Sequence, residues 1–163
     1  MKQKQKYLIA ALAILVAIFA FEIPSLATAL TADRTSPART GELVAPLQGS
    51  NIVYGGSIVA VGTDGLALPA ANVAGLKVIG RAEAFSDNTG ANYLATRTVQ
   101  VRRGIFQWDN GATNNLTRAN ISDPVYAIDD QTVGRTNEAT NAVVAGRIVD
   151  VDASGIWVDT RVR

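Results

Sequence analysis

The feature that most constrains this chain is the rhythm of its sequence from Leu43 onward. Apolar and β-branched stretches of three to thirteen residues alternate with turn-forming clusters, and nowhere after residue 30 does a long run of helix formers occur. Leu43 to Leu47, Ile52 to Tyr54, Ser57 to Val61, Leu66 to Leu68, Leu76 to Phe85, Thr96 to Trp108, Val125 to Ile128, Val143 to Val151 and Ile156 to Val158 each read as a strand. Segments this short and closely spaced favour antiparallel hairpins closed into a sandwich or barrel over any α/β arrangement. No internal repeat of convincing period emerges.

Local chemistry sharpens several of these segments. Gly62-Thr63-Asp64-Gly65 lies between two apolar stretches, and its Asp-Gly pair supplies the backbone angles that a tight hairpin needs. Asp152-Ala153-Ser154-Gly155 does the same for the closing pair of strands, where Ile148, Asp150 and Asp152 alternate with Val149 and Val151. Asp129-Asp130 turns Val125 to Ile128 toward Thr132-Val133. In the stretch Thr96 to Trp108, Thr98, Gln100 and Arg102 alternate with Val99 and Val101, and the parity slips after Arg103-Gly104. A glycine at such a slip marks a bulge or sharp bend. Thr117 caps an expected single helical turn to Asn120. The polar string Ser86 to Asn92 reads as an exposed turn.

The predicted fold is therefore all-β: a small single-domain β-sandwich or partly open β-barrel over residues 42–163, preceded by an extended N-terminal arm over residues 30–41 and a hydrophobic leader over residues 1–29. A chain of 163 residues fits one such domain. In the leader, Lys2, Lys4 and Lys6 precede the uncharged run Tyr7 to Phe21, and Ala27-Thr28-Ala29 has the form of a signal-peptidase site. That run falls short of the roughly 20 residues a membrane-spanning helix needs, so no stable membrane anchoring is expected. Removal of the leader, or a translation start near Leu26, are two ways in which it would be missing from the mature chain.

Composition narrows function. Histidine and cysteine are both absent from the sequence, which removes thiolate nucleophiles, disulfides, the common zinc sites and the usual acid–base residue near neutral pH. Without the first 30 residues, which hold Lys2, Lys4, Lys6 and Glu22, 12 basic side chains face 13 acidic ones. So balanced a domain has no electrostatic footprint for a phosphate backbone, and no nucleic-acid partner is expected. The acidic sets Asp129-Asp130, Asp150-Asp152 and Asp159 lack the ligand spacing of a calcium loop and read as turn residues. Lys77 is the only lysine after the leader, and no strained glycine-flanked serine accompanies it. Arg102 and Arg103 with Phe106 and Trp108 resemble a basic and aromatic patch for single strands. Charge balance favours instead an exposed arginine pair on a strand whose aromatics enter the core or a subunit interface. The chain is thus expected to be no enzyme, with no cofactor, no metal and no small-molecule substrate.

Four stretches carry a family resemblance: Ala29 to Arg39, Val99 to Phe106, Ile121 to Val133 and Gly146 to Trp157. In that order, they resemble capsid cement (head decoration) proteins of tailed bacteriophages. The resemblance implies a structural virion protein that sits on the outer surface of the capsid as a homotrimer and clamps adjacent copies of the major capsid protein. The polar arm is then expected to order against the shell through Thr31, Asp33, Arg34, Pro37 and Arg39, while faces of the β-domain, including Arg102, Arg103, Phe106 and Trp108, meet within the trimer. The hydrophobic leader departs from the family pattern. Taken at face value it suggests the alternative, a secreted bacterial surface or adhesion β-domain in the medium or cell envelope.

Overall fold

The computed structural model describes residues 43–162 except 114, 137 and 138. The expected leader and arm, with Thr31, Asp33, Arg34, Pro37 and Arg39, lie outside the described residues. Twelve strands follow: β1 Leu43–Pro46, β2 Ile52–Val53, β3 Ile58–Val61, β4 Ala67–Pro69, β5 Lys77–Ala82, β6 Ser86–Asp87, β7 Thr98–Arg102, β8 Ile105–Asn110, β9 Pro124–Ala127, β10 Thr132–Gly134, β11 Val144–Asp152 and β12 Gly155–Asp159. The only helical pieces among the described residues are single 3-10 turns at Gly90–Asn92 and Arg118–Asn120. The all-β expectation holds.

The strands form an antiparallel five-stranded sheet in the order β1-β7-β5-β3-β4, a closed five-stranded barrel in the order β10-β8-β12-β11-β9, and a small β2-β6 ribbon. Each predicted hairpin is present: β3 with β4 across Gly65, whose φ is +77°, β9 with β10, and β11 with β12. The barrel closes through a parallel contact between β8 and β10. That pairing joins strands about twenty residues apart in the chain, and no turn chemistry announces it.

Strand β3 explains how the layers share a core. Its Ile-Val-Ala-Val run is apolar on both faces, as expected of a strand covered on two sides. Ile58 and Ala60 join Val78, Phe106, Trp108, Val125, Val133, Ile148, Ile156 and Val158 in the larger cluster inside and beneath the barrel. Val59 instead meets Ala45, Leu47, Val53, Ala82, Val99 and Val101 on the opposite face of the sheet.

Bulges at Ile79 of β5 and Val149 of β11 reset which side chains point inward. In β5, Ala60 pairs with Val78 while Val59 pairs with Gly80, which leaves Ile79 as the extra residue. Val78 therefore faces the barrel cluster and Ala82 faces the second one. In β11, Ile148 pairs with Val158 and Asp150 with Trp157, so Val149 is extra. Val149 is pushed to the surface at 38% exposure while Ile148 is buried, and Val151 packs against the core. The simple alternation expected across Ile148 to Asp152 is thus corrected, because an inserted residue inverts parity beyond it.

The string Ser86 to Asn92 is also corrected. Ser86 and Asp87 form β6 against β2, and Ser86 and Asn88 are buried. The Asn88 amide donates to the Leu47 carbonyl at 3.0 Å, and its side-chain oxygen accepts from the Leu94 amide at 2.7 Å. It ties the end of β1 to the loop before β7.

Candidate functional site

The arginine and aromatic residues singled out from the sequence converge on the seam where the sheet meets the barrel. Arg81 and Arg102 are direct cross-strand partners on β5 and β7. Like charges so placed repel. Glu83 resolves this: its Oε1 accepts from Arg81 Nε at 3.0 Å and Nη2 at 2.6 Å, and its Oε2 lies 3.2 Å from Arg102 Nε. The same two guanidinium groups stand 4.3 and 5.6 Å from the centroid of the Phe106 ring. Phe106 in turn meets Trp108 edge to face at 5.9 Å. Trp108 Nε1 donates to the Gly56 carbonyl at 3.2 Å, which fixes the turn entering β3.

Phe106 and Trp108 are 6% and 5% exposed, so both side chains lie in the domain's own core. Arg102 and Arg103 stay at the surface. Arg103 donates from Nε to the carbonyl of Ile79 at 3.1 Å, the extra residue of the β5 bulge. The bend at Gly104 is where the chain leaves the sheet for the barrel, and Thr160 brackets it. The Gly104 amide donates to Thr160 Oγ1 at 3.0 Å, and the Thr160 amide donates to the Gly104 carbonyl at 2.9 Å.

The acidic residues do not converge. Asp129 Oδ1 accepts from the amides of Gln131 and Thr132 and closes its own turn. Asp130 beside it has its carboxyl pushed up, first by burial and then by the Asp129 charge. Asp150 pairs with Arg118. Asp152 accepts from Trp157 Nε1 at 2.7 Å, and this hydrogen bond is the largest cause of its lowered pKa. Asp159 is lowered chiefly by its hydrogen bonds from Arg161 at 2.8 and 2.9 Å. No three His, Cys, Asp or Glu among the described residues stand where they could hold one metal ion. Lys77 is exposed at the start of β5.

The surface also carries an exposed aromatic pair and two shallow grooves of mixed lining. Tyr54 and Phe85 are 60% and 59% exposed and lie against each other with ring centroids 5.4 Å apart. Phe85 also walls a groove of about 500 Å³, together with Asp87, Leu94, Thr96, Arg97 and Thr98. A smaller groove of about 220 Å³ lies by Leu116, Asn120, Tyr126 and Arg135. The Tyr54–Phe85 pair was not singled out from the sequence. Each residue ended a predicted strand, and a strand end does not say whether its ring turns inward or out. No helix among the described residues is long and apolar enough to cross a membrane. Compared with protein-family models, curated proteins and solved structures, the chain matches none.

Proposed function

We propose that this chain is a structural virion protein, a capsid cement protein that binds the outer surface of a tailed-phage head as a homotrimer and stabilises contacts between major capsid subunits. The observation that carries the proposal is the ordered resemblance of four stretches spanning residues 29–157 to that family. The β-domain is compatible with such a role. Its charged side chains at the seam are spent on one another, and its exposed Tyr54–Phe85 pair forms an apolar ledge suited to contact. A trimer presents each capsid contact three times, so modest contacts become strong through effective concentration. Closed threefold symmetry suits a lattice with equivalent neighbours around a point.

The test is recovery of the protein from purified particles, with its intact mass measured in the same sample. Presence on heads, with a mass that begins near residue 26 to 30, supports the proposal; recovery only from culture medium or cell envelope rejects it. The second reading, a secreted surface domain, rests on Lys2 to Lys6, the uncharged run Tyr7 to Phe21 and Ala27-Thr28-Ala29. The same fractionation supports it if the protein is found outside particles.

A further inference from the structure

We infer that the outer face of the barrel at Pro124, Tyr126 and Val144 is where the β3–β4 hairpin of another copy of this chain docks, head to tail. The inference rests on the proposed trimer only for the number of copies; the contact itself is read from a duplication within the chain. The five-stranded sheet and the barrel repeat one design strand for strand. Val59 pairs with Gly80 and Ala60 with Val78 around the bulge at Ile79; Val125 pairs with Gly146 and Tyr126 with Val144 around a bulge at Ala145. Val61 opposite Ala67 recurs as Ala127 opposite Val133. Ala82 opposite Val101 recurs as Ile148 opposite Val158, and Val101 opposite Leu43 as Val158 opposite Phe106. Even the parallel closure recurs: Val133 bridges to Asn110, and Ala67 bridges to Leu47 just beyond β1. A Cβ at Gly80 would strike the Arg102 carbonyl and Val101, and one at Gly146 the Asp159 carbonyl and Val158.

The two halves touch in a way that is not reciprocal. On β3 and β5, Ile58, Ala60 and Val78 turn away from the sheet's own cluster and are buried against the barrel, at 0%, 0% and 1% exposure. The β9–β10 hairpin sits at this face: the Ile58 amide donates to the Asp130 carbonyl at 2.6 Å, and the Asn72 amide donates to the Ile128 carbonyl at 3.0 Å. The register makes Pro124, Tyr126 and Val144 the barrel's counterparts of Ile58, Ala60 and Val78. These stay open. Pro124 is exposed, and Tyr126 and Val144 are half-buried.

The duplication selects the occupant. Within the chain, this face of the design is covered by the hairpin of the next half. The matching hairpin of the first half, between β3 and β4, presents Thr63, Asp64 and Gly65 at the surface. A contact that is not reciprocal leaves one unused partner surface at each end, and such contacts join copies into rings when the rotation closes. A groove of about 220 Å³ beside Pro124 and Tyr126 gives the incoming tip a seat. Pro124 has no N–H to donate as Ile58 does, so the contact between copies rests on side chains and is weaker than the one within the chain.

The test is sedimentation equilibrium of the full chain across micromolar concentrations. The wild-type protein is expected to associate. Tyr126→Glu should weaken association by about 30-fold or more with an unchanged circular dichroism spectrum, and Ile105→Asp should associate as the wild type does. Because the chain has no cysteine, introduced thiols give a second measurement that does not depend on Tyr126→Glu folding. A short bis-maleimide should link Thr63→Cys to Pro124→Cys when the two variants are mixed, and link neither variant to itself. A monomeric wild type, association that ignores Tyr126→Glu, or linkage no greater in the mixture than in either variant alone overturns the inference. Association through this face in a protein that does not bind heads supports the inference and rejects the capsid reading. Head binding by a protein whose association ignores Tyr126→Glu does the reverse.

Discussion

At the scale of single residues, polar side chains inside the domain act as fasteners. Asn88 is 1% exposed and joins Leu47 to Leu94 through both ends of its amide. Asn88→Ala leaves the buried Leu47 carbonyl without its partner, at about 1–3 kcal/mol, and removes the acceptor of the part-buried Leu94 amide. Urea unfolding at neutral pH should show that loss, and an unchanged midpoint would dismiss the fastening role. Titration gives a second prediction, with opposite signs at different carboxyls. Asp152 and Asp159 have folded pKa values below the ordinary 3.8, so the stability they contribute is present above that value and is lost as pH falls through their folded values. Asp130 is raised, so its ionised form is penalised: stability is greatest below 3.8 and declines as pH rises through its folded value. Asp130→Asn should therefore raise the melting temperature at pH 7 and leave it unchanged near pH 3, a modest effect of less than about 1 kcal/mol for a group in partial contact with solvent. Thermal melts at the two pH values check it, and equal shifts at both would contradict it. None of this was legible in the sequence. Asn88 sits in a string of turn-forming residues, and such residues look the same whether their partners are water or buried backbone.

At the scale of elements, glycine positions separate turns from crossings. Gly65 has a φ of +77° with open space where a side chain would go. Gly65→Ala should cost only about 1–2 kcal/mol, the strain of a left-handed backbone. Gly80 combines a φ of +147° with a Cβ position 2.4 Å from the Arg102 carbonyl oxygen. No alanine fits there unless β5 and β7 separate, so Gly80→Ala should cost about 3 kcal/mol or more, or prevent folding. Denaturation of the two variants side by side checks the contrast; similar losses would show that the crossing is not tight. The hairpin at Gly65 could be read from its Asp-Gly pair, because the signal is local. Gly80 lies within a predicted strand with no turn residue nearby, and its need for glycine comes from a neighbouring strand contributed by residues twenty positions later.

At the scale of the whole molecule, the sheet and barrel are joined by a common core, to which β3 contributes Ile58 and Ala60, and by an aromatic seam. Trp108→Ala should destabilise by about 3–5 kcal/mol, because it empties the larger core and frees the Gly56 carbonyl. A loss under about 1 kcal/mol in chemical denaturation would show that the seam does not join the layers. Assembly is a separate matter from this internal cohesion. Under the proposed function, deleting Thr31 to Thr40 should leave association intact while weakening occupancy on expanded heads, measured by co-sedimentation; full occupancy would remove the arm from the contact.

The sequence by itself determined the all-β class, the three hairpins and the break at Gly104, because period-two patterning and turn chemistry act over a few neighbouring residues. It also determined that no thiol or imidazole chemistry is available to this chain. Only the tertiary structure decided the parallel closure of β8 on β10, the bulges at Ile79 and Val149, and the burial of Ser86 and Asn88. It likewise turned Phe106 and Trp108 inward while leaving Tyr54 and Phe85 on the surface. Those outcomes depend on which distant strands come into register. A one-residue shift inverts every side chain beyond it, so inside and outside are properties of the assembled sheets and not of any segment alone.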